Sequence, residues 1–155
     1  MYYISKQLSD FSAAHRILKG YQGKCQNLHG HDYGVEVVLG ALTLDQYDLV
    51  VDFSDIKNLF NNWVQNNLDH VTIVSQDDSK LQQFLITNSQ KFYTLPGGVN
   101  TSVESIAKHL FEIFENLLVE HKNISLIEVS VSETKTAKAR YFPLPLAREG
   151  AVRVW

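Results

Sequence analysis

From His29 to Leu39 the chain alternates. The odd positions are His29, His31, Tyr33, Val35, Val37 and Leu39, while Asp32, Gly34, Glu36 and Gly40 lie on even ones. A period of two marks a half-buried strand, because successive side chains point to opposite faces. Both histidines therefore ride on the apolar stripe, and Gly30 between them removes bulk beside whatever they bind. In the preceding FSAAH segment Phe11, Ala13 and His15 also share one parity. If these two strands pair, His15, His29 and His31 converge at the spacing of a metal site, where Zn–N distances are roughly 2.0 to 2.1 Å.

A single histidine at the end of an apolar strand reads as a hydrogen-bonded core residue. Three convergent imidazoles without a second cysteine match the catalytic zinc pattern of three protein ligands and an open position. The one cysteine, Cys25, lies in a glycine-flanked loop after Gly20 and Gly23. It is free either to approach the metal or a bound ligand, or to close the site as a fourth ligand.

The remaining pattern is α+β: a strand pair, helices, then strands, with two main helices on one face of a largely antiparallel sheet. After Asp52 the residues Ile56, Leu59, Phe60, Trp63 and Leu68 form a helical stripe, capped by Asp52 or Ser54 and ending at Asp69 and His70. A second stripe runs through Val103, Ile106, Ala107, Leu110, Phe111, Phe114 and Leu117, with Thr101 and Glu104 at the offset of a capping box. A short helix is expected within 75–87, a brief strand at Lys91 to Leu95, and a strand-like end at AVRVW. At 155 residues, with 45% hydrophobic and 20% charged content, 1–155 is expected to be a single globular domain.

A net charge of −3 without a lysine or arginine run gives no reason to propose nucleic acid. No stretch is apolar enough to propose a membrane span. One cysteine forms no internal disulfide, and the polar start MYYISKQLSD does not resemble a signal peptide, so a cytoplasmic protein is expected.

Three acidic positions carry their own arguments. In IEVSVSE the residues Ile127, Val129, Val131 and Glu133 share a parity, so the Glu133 carboxylate extends an apolar stripe and needs a donor if buried. The alternative is a strand that has simply reached water. Glu104 is explained by a helix cap. Asp69 and His70 fit a plain helix end, where the dipole favours the histidine.

FSAAH, CQNLHGH, the LDH at Leu68 to His70 and the SET at Ser132 to Thr134 occur in an order that resembles the 6-pyruvoyl-tetrahydropterin and 6-carboxytetrahydropterin synthase family. The three-residue interval between Cys25 and His29 is similar to the bacterial carboxytetrahydropterin branch, which serves queuosine-type deazapurine synthesis. The resemblance implies the tunnelling fold (T-fold), with sheets joined into an oligomeric barrel, a trimer or hexamer with active sites between subunits. It implies zinc on His15, His29 and His31, Cys25 as general base, Asp69 and His70 as proton-transfer partners, and Glu133 as pterin anchor, with Glu104 also in the substrate pocket.

The implied reaction converts 7,8-dihydroneopterin triphosphate to 6-carboxy-5,6,7,8-tetrahydropterin, releasing acetaldehyde and triphosphate. Elimination of triphosphate to the 6-pyruvoyl product is the near alternative. Lys24, Arg16, Lys135, Lys138 and Arg140 are the cations closest in sequence to the implied site, while KTAKARYFPLPLAREG departs from the family's shorter ending. Two other classes use the same histidines: a zinc-dependent hydrolase or other lyase, and a noncatalytic zinc-stabilised pterin-binding protein.

Overall fold

The computed structural model describes residues 1–143, so the strand expected at AVRVW lies outside the described residues. The elements are β1 (Tyr2–Gln7), β2 (Phe11–His15), β3 (His29–Ala41), α1 (Phe53–Ile56), α2 (Asn62–Asn67), β4 (Val71–Ser75), α3 (Ser79–Thr87), β5 (Phe92–Leu95), α4 (Val103–Leu117), β6 (Ser125–Ser132) and β7 (Lys138–Tyr141). The seven strands form one sheet in the order β5-β4-β2-β3-β6-β7, with β1 also on β3. Strand β3 organises the rest. Its first part pairs with β2, its later part with β1, and its other edge with β6, all antiparallel.

The α+β plan holds and the sheet is largely antiparallel, with four of its six strand pairings so arranged; the other two are parallel, which makes it mixed. Strand β4 runs parallel to β2 and to β5. A parallel neighbour is reached through a crossover, here α1–α2 before β4 and α3 before β5. VTIVS at 71–75 is a short apolar run, in which period alone does not separate strand from helix.

Alternation in β3 places Tyr33, Val35, Val37 and Leu39 at zero to 1% exposure. Burying a side chain of this size contributes about 1.5 to 3 kcal/mol each, so the register of β3 is strongly fixed. Against this face pack Ile106, Leu110 and Phe114 of α4 and Ile56, Phe60 and Val64 of the first helix, with Phe60 stacked on Phe114 at 4.5 Å.

Asp52 caps α1, its carboxylate accepting from the Ser54 N–H at 2.7 Å. Between α1 and α2 the helix passes through a π-helical stretch, Lys57–Asn61. The wider turn brings Val64 into the core and leaves Leu59 and Trp63 half-buried. It also buries Asn61, whose side-chain oxygen accepts from the Ser9 N–H at 2.8 Å. In β6 a register shift opposite Val38 and Leu39 interrupts the parity, so Leu126 is buried rather than Ile127, while Val129 and Val131 keep the expected face.

Candidate metal centre

Strands β2 and β3 pair with His15 opposite His29 and Ala13 opposite His31. The ligand atoms of His15, His29 and His31 all lie within 4.8 Å of one another. Among the described residues this is the group of histidine, cysteine or carboxylate side chains placed to hold a metal, and the Cys25 thiol stands outside it.

Two backbone carbonyls settle the tautomers. His15 Nδ1 lies 2.6 Å from the Thr101 carbonyl and His29 Nδ1 lies 2.7 Å from the Asn27 carbonyl. A carbonyl only accepts, so each Nδ1 carries the proton and each neutral ring leaves a bare Nε2 lone pair. Those two Nε2 atoms face each other at 3.2 Å. Two lone pairs at that distance repel unless a proton or a metal ion lies between them. Tetrahedral zinc with Zn–N bonds of roughly 2.0 to 2.1 Å spaces its ligand atoms by about 3.4 Å, close to the separation found.

His31 adds a third observation, since its Nε2 is buried without a hydrogen-bond partner. Burial is the largest influence on His15 and pushes its pKa below the ordinary histidine value. The Thr101 carbonyl opposes that shift, and His29 adds to it. A neutral imidazole is the form a metal needs. The donor set therefore fits zinc.

Glu133 follows β6 directly, its N–H donating to the Ala137 carbonyl at 3.2 Å. Its Oε1 lies 3.8 Å from His15 Nε2, with the side chain 24% exposed. The structure thus brings Glu133 beside His15, one of the three clustered histidines. Beside it lies Tyr33, edge-on to both His15 and His31. The Tyr33 hydroxyl is buried without a partner, and burial first, then the Glu133 charge, push its pKa well above the ordinary phenol value.

Cys25 sits half-buried in a 3-10 turn, Lys24–Gln26, and its carbonyl accepts from the Ile17 N–H at 2.7 Å. The cysteine loop is thereby tied to the end of β2. The Tyr21 hydroxyl lies against the thiol, a contact that raises the phenol above its usual range.

Asp69 and His70 form a close pair, Oδ2 to Nδ1 at 2.7 Å. Neighbours in a regular strand point apart, and the irregularity that unites them is His70 itself, at φ +57°. Asp69 accepts from the Ser12 N–H at 2.9 Å while the His70 N–H donates to the Ser12 carbonyl at 2.7 Å, fastening the pair to β2. The Ser12 bond first, then His70, hold the Asp69 carboxyl below its ordinary value. His70 is exposed and lines a cleft with Ser12, Ala14, Gly30 and Asp32, the even positions of β2 and β3, and with Ala13 and His31 between them. The three clustered histidines occupy the odd positions. Among the described residues His70 bonds to Asp69 and Ser12, and no hydrogen bond joins it to Cys25 within one chain.

Glu104 lies exposed in the first turn of α4. The cap of that helix is Ser102, accepting from the Ser105 N–H at 3.4 Å, rather than Thr101. Thr101 is fully buried, and its hydroxyl donates to the Arg16 carbonyl at 2.9 Å. Of the cations near the site, Arg16 grips Asp78 through two bonds of 2.7 Å, Lys138 pairs with Glu36 at 3.0 Å and Arg140 with Glu128 at 3.7 Å. The bond to Asp78 raises Arg16 above its ordinary value, and the bond from Arg16 holds Asp78 below its own.

Sequence reasoning missed Thr101 and Asp78. Thr101 carries a cap-like signature, and its true contacts are 85 and 86 residues away. Asp78 had a signal, an aspartate just before a helix start, because it accepts from the Leu81 N–H at 3.2 Å as the cap of α3.

A mixed sheet carries three imidazoles converging where β2 meets β3 and a carboxylate where β6 ends, and it superposes on solved structures of the tunnelling fold. The family model described as 6-pyruvoyl tetrahydropterin synthase matches residues 3–143, and the chain belongs to that family. A relative from Rickettsia bellii, named 6-carboxy-5,6,7,8-tetrahydropterin synthase, is 42% identical over 125 residues, covering 77% of this chain and 88% of its own. One of the same name from Haemophilus influenzae is 34% identical over 149 residues, covering 91% and 99%. Among solved structures, the 6-pyruvoyl tetrahydropterin synthase of Plasmodium vivax superposes with TM-score 0.67 at 21% identity, covering 91% of this chain and 98% of that one. A Wolinella succinogenes protein reaches TM-score 0.79 at 23% identity, covering 91% and 97%.

Proposed function

We propose that this chain is a zinc-dependent lyase that converts 7,8-dihydroneopterin triphosphate to 6-carboxy-5,6,7,8-tetrahydropterin, releasing acetaldehyde and triphosphate, as a step toward queuosine-type deazapurines. The observation that carries this reading is the pair of facing Nε2 lone pairs at 3.2 Å, with a carboxylate 3.8 Å from one of them. The name borne by its bacterial relatives supports the carboxy product.

His15, His29 and His31 hold the zinc. Bound there, the metal supplies Lewis acidity that lowers the pKa of the substrate's side-chain hydroxyl. Glu133 accepts two parallel hydrogen bonds from the exocyclic amine and ring N–H of the pterin, in the manner of a carboxylate meeting a guanidinium. Glu104 completes the pterin contacts. Cys25, as thiolate, removes a proton from the substrate side chain. Asp69 accepts from His70 Nδ1, leaving His70 Nε2 to exchange a proton.

His70 shares its cleft with His31 but makes no hydrogen bond to Cys25 within one chain, and on this reading the Asp69–His70 pair serves the cysteine of a neighbouring subunit. The protein is on this reading a cytoplasmic homo-oligomer, trimer or hexamer. Among the described residues no helix is long and apolar enough to cross a membrane. Incubation with 7,8-dihydroneopterin triphosphate and mass analysis of the pterin tests the proposal. The 6-carboxy product with acetaldehyde supports it; a 6-pyruvoyl product, or unchanged substrate, overturns it.

A further inference from the structure

His15 is the last residue of β2, and sheet pairing ends with it: His15 opposite His29 on one side, Ala14 opposite Thr72 on the other. A ligand at the frayed end of a strand needs another restraint. Thr101, with Arg16 and Asp78 behind it, supplies that restraint. The Thr101 carbonyl takes the His15 Nδ1 proton at 2.6 Å while the Thr101 hydroxyl donates to the carbonyl of the next residue, Arg16, at 2.9 Å. Two bonds from one buried residue to two consecutive ones fix both the ring and the peptide that carries it.

The Arg16 side chain is then locked by a two-pronged hydrogen bond to Asp78, 2.7 Å on each prong, and Asp78 is itself 3% exposed and anchored as the cap of α3. A fork of this kind restricts orientation as well as distance. Asn100, beside Thr101, adds two more ties, its side-chain oxygen accepting from the N–H groups of Leu18 at 3.0 Å and Lys19 at 2.9 Å. Arg16 is thus committed within the fold and is not a spare cation for substrate phosphate.

We infer that Thr101 and the Arg16–Asp78 fork are positioning residues of the metal site, a clamp that aims His15 Nε2 at the zinc and extends the site to the start of α3. The inference rests on the zinc assignment above. Partners that orient a ligating histidine typically account for 10- to 100-fold in metal affinity.

The test is zinc affinity by chelator competition on the full chain. Thr101→Val keeps the shape and removes the hydroxyl; Asp78→Asn keeps a helix-capping side chain and removes the charge from the fork. Each should bind zinc at least 10-fold more weakly than the parent, and the visible absorption of the cobalt-substituted variants should shift. Thr101→Ser, which retains the hydroxyl, should restore parental affinity and spectrum. If Asp78→Asn fails to fold, the two Thr101 variants decide alone. Parental zinc affinity and an unchanged cobalt spectrum in Thr101→Val would overturn the clamp and leave the metal assignment standing. A parent protein that takes up no zinc overturns both.

Discussion

Replacing Glu133 by glutamine keeps the shape of the side chain and removes its charge at one point of the site. The carboxylate offers two acceptor oxygens to two pterin donors, and the amide offers one oxygen and one NH2 that opposes the remaining donor. A hydrogen bond to a charged group contributes about 1.5 to 3 kcal/mol. Loss of one such bond weakens pterin binding roughly 10- to 150-fold. With the side chain 24% exposed, solvent screens part of the interaction, which favours the lower half of that range.

Stability should change little. The nearest imidazole, His15 at 3.8 Å, has its pKa held below the usual value by burial, so no strong ion pair is lost. Fluorescence titration with a pterin measures the effect, with zinc content and melting temperature as controls. Parental pterin affinity in Glu133→Gln would refute the anchoring role and return this residue to the reading of a strand that has reached water.

Cys25→Ser should leave zinc content and melting temperature unchanged while turnover falls more than about 100-fold, the scale of a lost general base; near-parental turnover removes the thiol from the mechanism. Zinc-free protein should lose stability as pH falls below about 6.5. His15 and His109 both have pKa values lowered by burial, so the unfolded chain binds more protons in that range, and denaturant midpoints between pH 8 and pH 5 measure the loss. Tyr33→Phe removes a buried hydroxyl that has no partner while keeping the ring stacked on Phe11, so its melting temperature should equal or exceed the parent's; a fall of several degrees would reveal a partner for that hydroxyl.

The alternation from His29 to Leu39 was enough to place both histidines on the inner face of β3, because a half-buried strand writes its two faces directly into the sequence. Glu133 was legible for the same reason, although the bulge near Ile127 broke the pattern that led to it. Helical stripes placed α4 well, but the π-helical stretch at Lys57–Asn61 put Val64 in the core, since an extra residue per turn leaves no mark on a stripe of period 3.6. Strand β1 stayed unread because YYISKQ is exposed or half-buried throughout and carries no apolar face. The clamp around His15 was unreadable in principle. It is made by residues 62 and 85 positions from Arg16, and only the folded chain brings Asp78 and Thr101 to one peptide.

Zinc-edge X-ray absorption on the purified protein reads the ligand set of the histidine site itself. The arrangement of His15, His29 and His31, with Cys25 outside the ligand group, predicts one zinc per chain, three nitrogen scatterers at roughly 2.0 to 2.1 Å, a further light scatterer from water or substrate, and no sulfur shell. A sulfur shell at about 2.3 Å would make Cys25 a ligand, close the site and contradict the account.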